Sequence, residues 1–245
     1  FLVPLRTKIN IVEKLMCDDK WNQINYETVP GVASKRLLKA FMKHDAERYQ
    51  EYLNAVKSGK KEIKVTGLLP HELVKFYIEN DSGPNETIEL QWRTILENVR
   101  KQGTLKKSIA LADVSGSMFS ASNGDIPAQV SIALSILTSL CCSGKFYKKV
   151  VTFSTDPTLV TLPSESLYDC FVALRNVSYG LSTDFVKCCQ CIINYGLENS
   201  VPDEEMPEKF FAFTDMQFDE ASRNSNDTIE TIYEYIVSLF KKHKY

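Results

Sequence analysis

The sequence predicts an α/β domain, with a mainly parallel sheet flanked by helices, preceded by an all-helical domain. Apolar residues in the first hundred positions recur at helical spacing with few strand signals. Later positions alternate short apolar strands with amphipathic helices. A small, apolar run ending in Asp113-Val-Ser-Gly-Ser marks the first strand and the turn after it. We therefore place the helical domain at residues 1–104 and the α/β domain at residues 105–245.

Length and composition agree with a folded protein of two parts. The 245 residues, 44% of them hydrophobic, can bury one large or two modest cores. No stretch approaches the roughly 20 apolar residues of a membrane span, and the amino end lacks a secretory signal pattern. We therefore expect an intracellular, cytoplasmic protein that does not cross a membrane.

The helical domain is predicted from capping residues and apolar stripes. Pro4 opens one helix, and Ser34 is expected to cap another that carries Leu38 and Phe41. A third helix covers residues 46–56, and further helices follow Pro70 and Glu86. No fixed-period repeat is evident.

The α/β domain begins with a strand at residues 108–112, followed by a helix at residues 126–142. Asp125 is its predicted N-cap. Its stripe against the sheet is predicted to be Val130, Leu134, Leu137 and Cys141.

The remaining elements alternate in the same way. Residues 149–153 form a strand, and residues 158–162 pair with it as a hairpin at the edge of the sheet. The other predicted elements are helices at 164–174, 184–197 and 228–244, and a strand at 210–214.

A metal site is predicted where the first strand ends. Asp113, Ser115 and Ser117 lie in the turn beyond its carboxyl end, where α/β sheets collect ligands. Carboxylate and hydroxyl oxygens at this spacing suit Mg²⁺ or another hard cation such as Mn²⁺ or Ca²⁺.

The chain here resembles the von Willebrand factor type A (vWA) family, a Rossmann-like fold whose metal-ion-dependent adhesion site (MIDAS) reads Asp-x-Ser-x-Ser, then a distant Thr and Asp. The resemblance assigns the last two positions to Thr183 and Asp215, with Ser182 as an alternative to Thr183. It implies a metal ion completed by an acidic group of a partner. Since vWA sheets have about six strands and four are placed here, we expect the last strands to be absent from this chain.

A second resemblance extends over nearly the whole chain. Trp21 to Pro30, the Lys-His-Asp stretch at Lys43, Leu69-Pro-His-Glu72 and Asp215-Met-Gln-Phe-Asp219 are similar to an uncharacterised family of plants and large DNA viruses. More distantly, the layout resembles the TROVE module of Ro ribonucleoproteins, in which a helical ring holds RNA beside a vWA domain. RNA binding and a structural role in a virion are therefore alternatives to protein binding.

The overall charge argues against a strong RNA binder. Lys and Arg number 29 against 31 acidic residues, for a net charge of −2, so any basic surface must be local. Candidate nucleic-acid contacts are the clustered residues Lys60, Lys61, Lys64, Lys106, Lys107, Lys148 and Lys149.

Cysteine and histidine patterns narrow the function further. Seven Cys residues, an odd number, indicate reduced thiols, and Cys188, Cys189 and Cys191 would splay around a helix without a nearby fourth zinc ligand. His44, His71 and His243 lie far in sequence from the metal turn, so hydrolytic machinery is hard to assemble. We therefore expect a non-enzymatic module that binds a protein partner through its metal ion.

Overall fold

A computed structural model describes residues 11–80, 83–119, 126–153, 156–177, 184–215 and 229–245. The chain divides into two compact units. The first comprises residues 1–69 and 84–95, and the second comprises residues 70–83 and 96–245. None of the helices in these described ranges has both the length and the apolar composition that a membrane span requires.

The first unit is built from helices. They are α1 (Val12–Cys17), α2 (Gly31–His44), α3 (Ala46–Lys57) and residues 86–95 of α5 (Glu86–Lys101). Its core is aromatic, with the Tyr26 ring in edge contact with Phe41 and Tyr49 at centroid distances of 5.2 and 4.9 Å. The helical character predicted for this half of the chain is present.

One predicted helix start in this unit is wrong. Ser34 does not cap α2, because the helix begins at Gly31 directly after Pro30. Ser34 lies in the next turn, where it is buried and its hydroxyl is 3.4 Å from the Tyr49 hydroxyl. A helix that begins at Pro-Gly carries no capping signal in the sequence, because neither residue has a side-chain oxygen that could accept from the first-turn amides.

The second unit is a sheet with helices on both faces. Its strands are β1 (Ser108–Asp113), β2 (Lys149–Phe153), β3 (Leu159–Thr161) and β4 (Lys209–Phe213). Its helices are α4 (Pro70–Glu79), the end of α5, α6 (Pro127–Cys141), α7 (Leu167–Arg175), α8 (Phe185–Glu198) and α9 (Ile229–Lys242).

The sheet runs in the order β3-β2-β1-β4. β1 is parallel to both β2 and β4, and β3 is antiparallel to β2. The predicted mainly parallel α/β sheet, with a hairpin partner at one edge, is confirmed. β1 is therefore central, and its carboxyl end lies beside the carboxyl ends of β2 and β4.

Alternate residues of β1 face two helical layers. Ile109 and Leu111 pack into a core with Phe153, Cys188 and Ile192, and so face α8. The opposite face of β1 presents Ala110 and Ala112, and α6 packs there. The small side chains on this face allow the helix to approach the strands closely.

The face of α6 that contacts the sheet was predicted wrongly. Val130 is 39% exposed, whereas Ser131 and Ile132 are buried, and the Ser131 hydroxyl donates to the Phe213 carbonyl of β4 at 2.9 Å. α4 and α7 also pack against α6, so most of this helix is buried. Its large apolar residues are therefore not confined to the face that contacts the sheet, and their spacing does not identify that face. The predicted N-cap, Asp125, lies outside the described residues.

An ion pair closes the carboxyl end of α6. Arg100 donates to the Leu140 carbonyl at 2.9 Å and to both carboxylate oxygens of Glu165 at 2.7 and 3.1 Å. The Tyr147 hydroxyl donates to the same carboxylate. These hydrogen bonds, chiefly that from Arg100, lower the pKa of Glu165 from 4.5 to about 2.

Acid should therefore weaken the second unit through Glu165. The lowered pKa makes this contribution complete above pH 4.5, and it is lost as the pH falls from 4.5 towards 2. We expect Glu165→Gln to cost about 1 kcal/mol at pH 7, because the pair is partly exposed, and to cost little near pH 2. Urea unfolding at both pH values measures this difference, and an equal cost at both would contradict it.

Candidate metal site at the carboxyl edge of the sheet

Asp113 is the last residue of β1 and is fully buried. The strand register places it beside Phe153, the last residue of β2. Because β1, β2 and β4 are parallel, the turns that follow them meet at the same edge of the sheet. The structure therefore places Asp113 at the predicted position for a ligand.

The Asp113 carboxylate is held by two hydrogen bonds. The Ser115 amide donates to Oδ1 at 2.9 Å, and the Thr214 hydroxyl donates to Oδ2 at 2.5 Å. Among the described residues, no Lys, Arg or His forms an ion pair with it. A buried carboxylate without a positive partner is costly, and a bound cation would remove that cost.

Ser115 and Ser117 are brought together by a tight turn. Gly116–Phe119 form a single turn of 3-10 helix, and the Met118 amide donates to the Ser115 carbonyl at 3.1 Å. The two serine hydroxyl oxygens lie 3.1 Å apart. Ser115 is buried and Ser117 is half-buried, so Ser117 is the more accessible of the two residues.

The predicted second loop lies outside the described residues, which resume at Asp184 after Thr183 and Ser182. Asp184 caps α8, its carboxylate accepting from the Lys187 amide at 3.1 Å. Burial raises the pKa of the Cys188 thiol, and the charges of Asp184 and Asp113 raise it further. The Cys188 sulfur lies 4.0 Å from the Thr152 carbonyl of β2, and the next residue, Phe153, pairs with Asp113, so the first turns of α8 lie in the same region as Asp113.

Asp215 follows Thr214 directly and is half-buried. Since the Thr214 hydroxyl donates to the Asp113 carboxylate, Asp215 directly follows a residue that contacts the predicted ligand on β1. Thr214 itself was not predicted as a site residue. The sequence feature that could have identified Thr214 is the Thr-Asp pair at the end of an apolar strand, of which only the Asp is in the predicted ligand set.

The donor set fits a hard cation by its chemistry. It consists of carboxylate and hydroxyl oxygens, which Mg²⁺, Mn²⁺ and Ca²⁺ accept, and it contains no thiol or imidazole. Within the described ranges, no group of three or more His, Cys, Asp and Glu side chains is arranged to hold a metal ion. The predicted site has only two carboxylates, so its remaining ligands would be hydroxyl groups and water.

Four of the predicted basic residues lie near the amino ends of the parallel strands, at the end of the sheet opposite Asp113. Lys106 and Lys107 precede β1, and Lys148 and Lys149 lie at the start of β2, which is parallel to it. Lys107 forms an ion pair with Glu208, and the Lys149 ammonium lies 4.8 Å above the Tyr195 ring. These lysines converge, but local partners already engage part of their charge.

The other predicted basic group lies in the first unit. Lys60, Lys61 and Lys64 are exposed in the segment after α3. Lys61 lies 3.6 Å from Glu27, so an acidic side chain also offsets this group.

The cysteines have no structural role as cross-links. All seven are free thiols, and Cys188 and Cys189 are buried in α8. Burial raises the pKa of Cys189 to about 12, so this thiol is protonated at neutral pH.

Two domain families match the chain. Residues 107–245 match the family described as "Domain of unknown function (DUF7788)", and residues 1–105 match "Domain of unknown function (DUF2828)". The boundary between the matches lies close to the division predicted from the sequence.

A curated viral protein is similar to almost the whole chain. It is "Uncharacterized protein L728" of Acanthamoeba polyphaga mimivirus, 30% identical over 247 residues, which cover 96% of this chain and 42% of the relative. The chain thus spans less than half the length of that relative. The predicted resemblance to an uncharacterised family found in large DNA viruses is confirmed. No solved structure matches the chain.

Proposed function

The chain belongs to the DUF7788 family, and from that premise we propose that it is a non-enzymatic binding module that engages a protein partner through a divalent cation. The cation is Mg²⁺ or another hard ion such as Mn²⁺ or Ca²⁺. It is held at the carboxyl edge of the sheet by Asp113, Ser115, Ser117, Thr183 and Asp215.

The buried Asp113 carboxylate carries this proposal. It is fully buried, and its two hydrogen bonds come from the neutral Ser115 amide and Thr214 hydroxyl. Neutral donors offset part of the cost of burying a charge, and a cation offsets much more. Two serine hydroxyl oxygens in the following turn provide further hard donors beside the carboxylate.

A bound cation would supply a positive charge to which an acidic side chain of the partner can coordinate. The residues of this chain orient and partly neutralise that charge. Asp113 is fixed by the Ser115 amide and the Thr214 hydroxyl, so its oxygens keep one orientation. The adjacent serine hydroxyl groups, held by the 3-10 turn, can donate towards an acidic group that approaches the edge.

The finer fold assignment belongs to the same proposal. A vWA-type domain is supported by a central β1 flanked by parallel strands, by the antiparallel β3 at one edge, and by Asp-x-Ser-x-Ser at the end of β1. The site and the fold therefore support each other.

RNA binding is the second candidate, favoured by the convergence of Lys106 and Lys107 with Lys148 and Lys149. Glu208, Asp203 and Glu204 lie close enough to Lys107 to raise its pKa, chiefly through the hydrogen bond from Lys107 to Glu208. This acidic surrounding reduces the attraction of the edge for phosphate groups, so we rank RNA second.

Affinity capture from cell extract tests the proposal. The wild-type chain, Asp113→Asn and the matched control Asp184→Asn are compared in Mg²⁺ and in EDTA, and the eluates are analysed for protein and RNA. We expect partner proteins to be retained by the wild type and the control in Mg²⁺, and to be lost in EDTA and from Asp113→Asn. Identical proteins from all samples would contradict a metal-bridged contact, and RNA retained by all three chains would favour the second candidate.

A further inference from the structure

The outer edge of β3 presents backbone groups without a strand partner in the described part of the chain. The Leu162 amide donates to the Lys148 carbonyl at 2.7 Å, and the Thr152 amide donates to the Thr158 carbonyl at 2.9 Å. In an antiparallel pair these bonds alternate along the strand, so the backbone groups of Leu159 and Thr161 point away from β2.

One of those outward groups is already engaged. The Cys191 thiol of α8 accepts a hydrogen bond from the Leu159 amide, while burial raises the pKa of this thiol. Within the part of the chain that the structure describes, the Leu159 carbonyl and both backbone groups of Thr161 have no hydrogen-bond partner and can pair with an added strand.

A groove of about 550 Å³ runs beside this edge, between β3 and α8. Its lining includes four exposed side chains of α8, namely Lys187, Gln190, Asn194 and Glu198. Among the described residues, the side chains of Gln190 and Asn194 have no hydrogen-bond partner. The groove thus offers amide groups to a ligand next to the open strand edge.

The two ends of the groove carry opposite charges, and their order relative to β3 follows from the contacts of α8. Cys191 lies against Leu159, and further along the helix Tyr195 lies under Lys149, whose ammonium group donates to the Thr161 hydroxyl at 3.1 Å. α8 and β3 therefore run the same way. The positive end of the groove, at Lys187, lies towards the start of β3, and the negative end, at Glu198, lies beyond its last residue.

We propose that β3 binds an extended peptide segment of a partner protein, which adds to the sheet as an antiparallel strand. A basic residue near the amino end of the segment lies beside Glu198, and an acidic residue nearer its carboxyl end lies beside Lys187. The polarity follows because an antiparallel segment runs from the end of β3 towards its start.

The helix and strand repeats give the spacing of the two charges. Lys187 and Glu198 are eleven residues apart on α8, which is about 16 Å along the axis. An extended segment covers about 13 Å in four residues, and an even separation keeps both side chains on one face of the strand. Long side chains can bridge the difference, so the basic residue precedes the acidic one by four positions.

Two labelled peptides test the proposal by fluorescence anisotropy at low ionic strength. The first is acetyl-Thr-Val-Lys-Val-Thr-Val-Asp-Val-Thr-amide, and in the second the Lys and the Asp are exchanged. We expect the first to bind about fivefold more tightly. The double variant Lys187→Glu, Glu198→Lys should reverse the preference. Equal affinity of both peptides, or no binding of either, overturns the proposal.

Two substitutions of Thr161 test the strand edge itself. Thr161→Pro removes the outward amide, a change that an edge strand tolerates, and should abolish binding of the first peptide. Thr161→Val keeps the amide and should retain binding. Circular dichroism verifies that both variants stay folded. Unchanged binding by a folded Thr161→Pro variant would overturn strand addition, and EDTA should have no effect because the metal edge is not involved.

Discussion

Mg²⁺ at 100 times its dissociation constant should stabilise the native chain by about 2.7 kcal/mol, because binding to the folded state alone shifts the unfolding equilibrium. This corresponds to a rise in Tm of about 5 to 10 °C for a protein of this size. Asp113→Asn should remove the whole effect. The Asn side chain keeps the shape and can still accept from the Ser115 amide, but it lacks the charge that a cation requires.

Differential scanning calorimetry with and without Mg²⁺ measures the shift. Asp184→Asn is the matched control, because Asn also caps helices well and Asp184 is not a proposed ligand. The control should keep the full shift in Tm. A Mg²⁺-dependent rise that survives in Asp113→Asn would place the metal ion elsewhere.

Gly31→Ala should destabilise the first unit by about 3 kcal/mol, through a clash that the backbone cannot relieve. A Cβ atom at Gly31 would lie 2.5 Å from the Lys64 carbonyl oxygen and 3.1 Å from the Val65 Cα. The backbone of Gly31 is also held in place by a hydrogen bond, since the Gln91 side-chain amide donates to its carbonyl at 3.0 Å. Relief would require movement of one of these main-chain segments.

Tryptophan fluorescence during urea unfolding isolates this effect. The chain has two Trp residues, Trp21 and Trp92, and both lie in the first unit. Lys39→Ala is the control for stability, because Lys39 is an exposed residue of α2, the helix that contains Gly31. We expect its unfolding midpoint to match the wild type, and equal midpoints for Gly31→Ala and the wild type would show that the segment at Lys64 yields easily.

The strands were predictable because each is a short apolar run bounded by polar or turn residues. β2 and β4 were placed with at most one residue of error at either end. The buried face of α6 was not predictable, since a helix covered on two sides loses the contrast between apolar and polar faces. The start of α2 was missed because Pro-Gly carries no capping side chain.

The candidate site shows the same division. Asp113, Ser115 and Ser117 form a local motif, and a turn brings them together whatever the rest of the chain does. The contact from Thr214 joins residues 101 positions apart, and it follows from the pairing of β1 with β4. No sequence pattern specifies that register, so the hydroxyl that orients Asp113 was left out of the predicted set.

The position of α4 determines whether the region that matches DUF7788 can be produced as a stable separate fragment. The match to DUF7788 begins at residue 107, yet α4 packs on α6 within the second unit, and Tyr77 makes an edge contact with Tyr168 at 5.2 Å. A fragment cut at the family boundary would lose α4 and Arg100. It would expose an apolar side of α6 and free the Leu140 carbonyl, and we expect such a fragment to aggregate where one beginning before residue 70 stays dispersed.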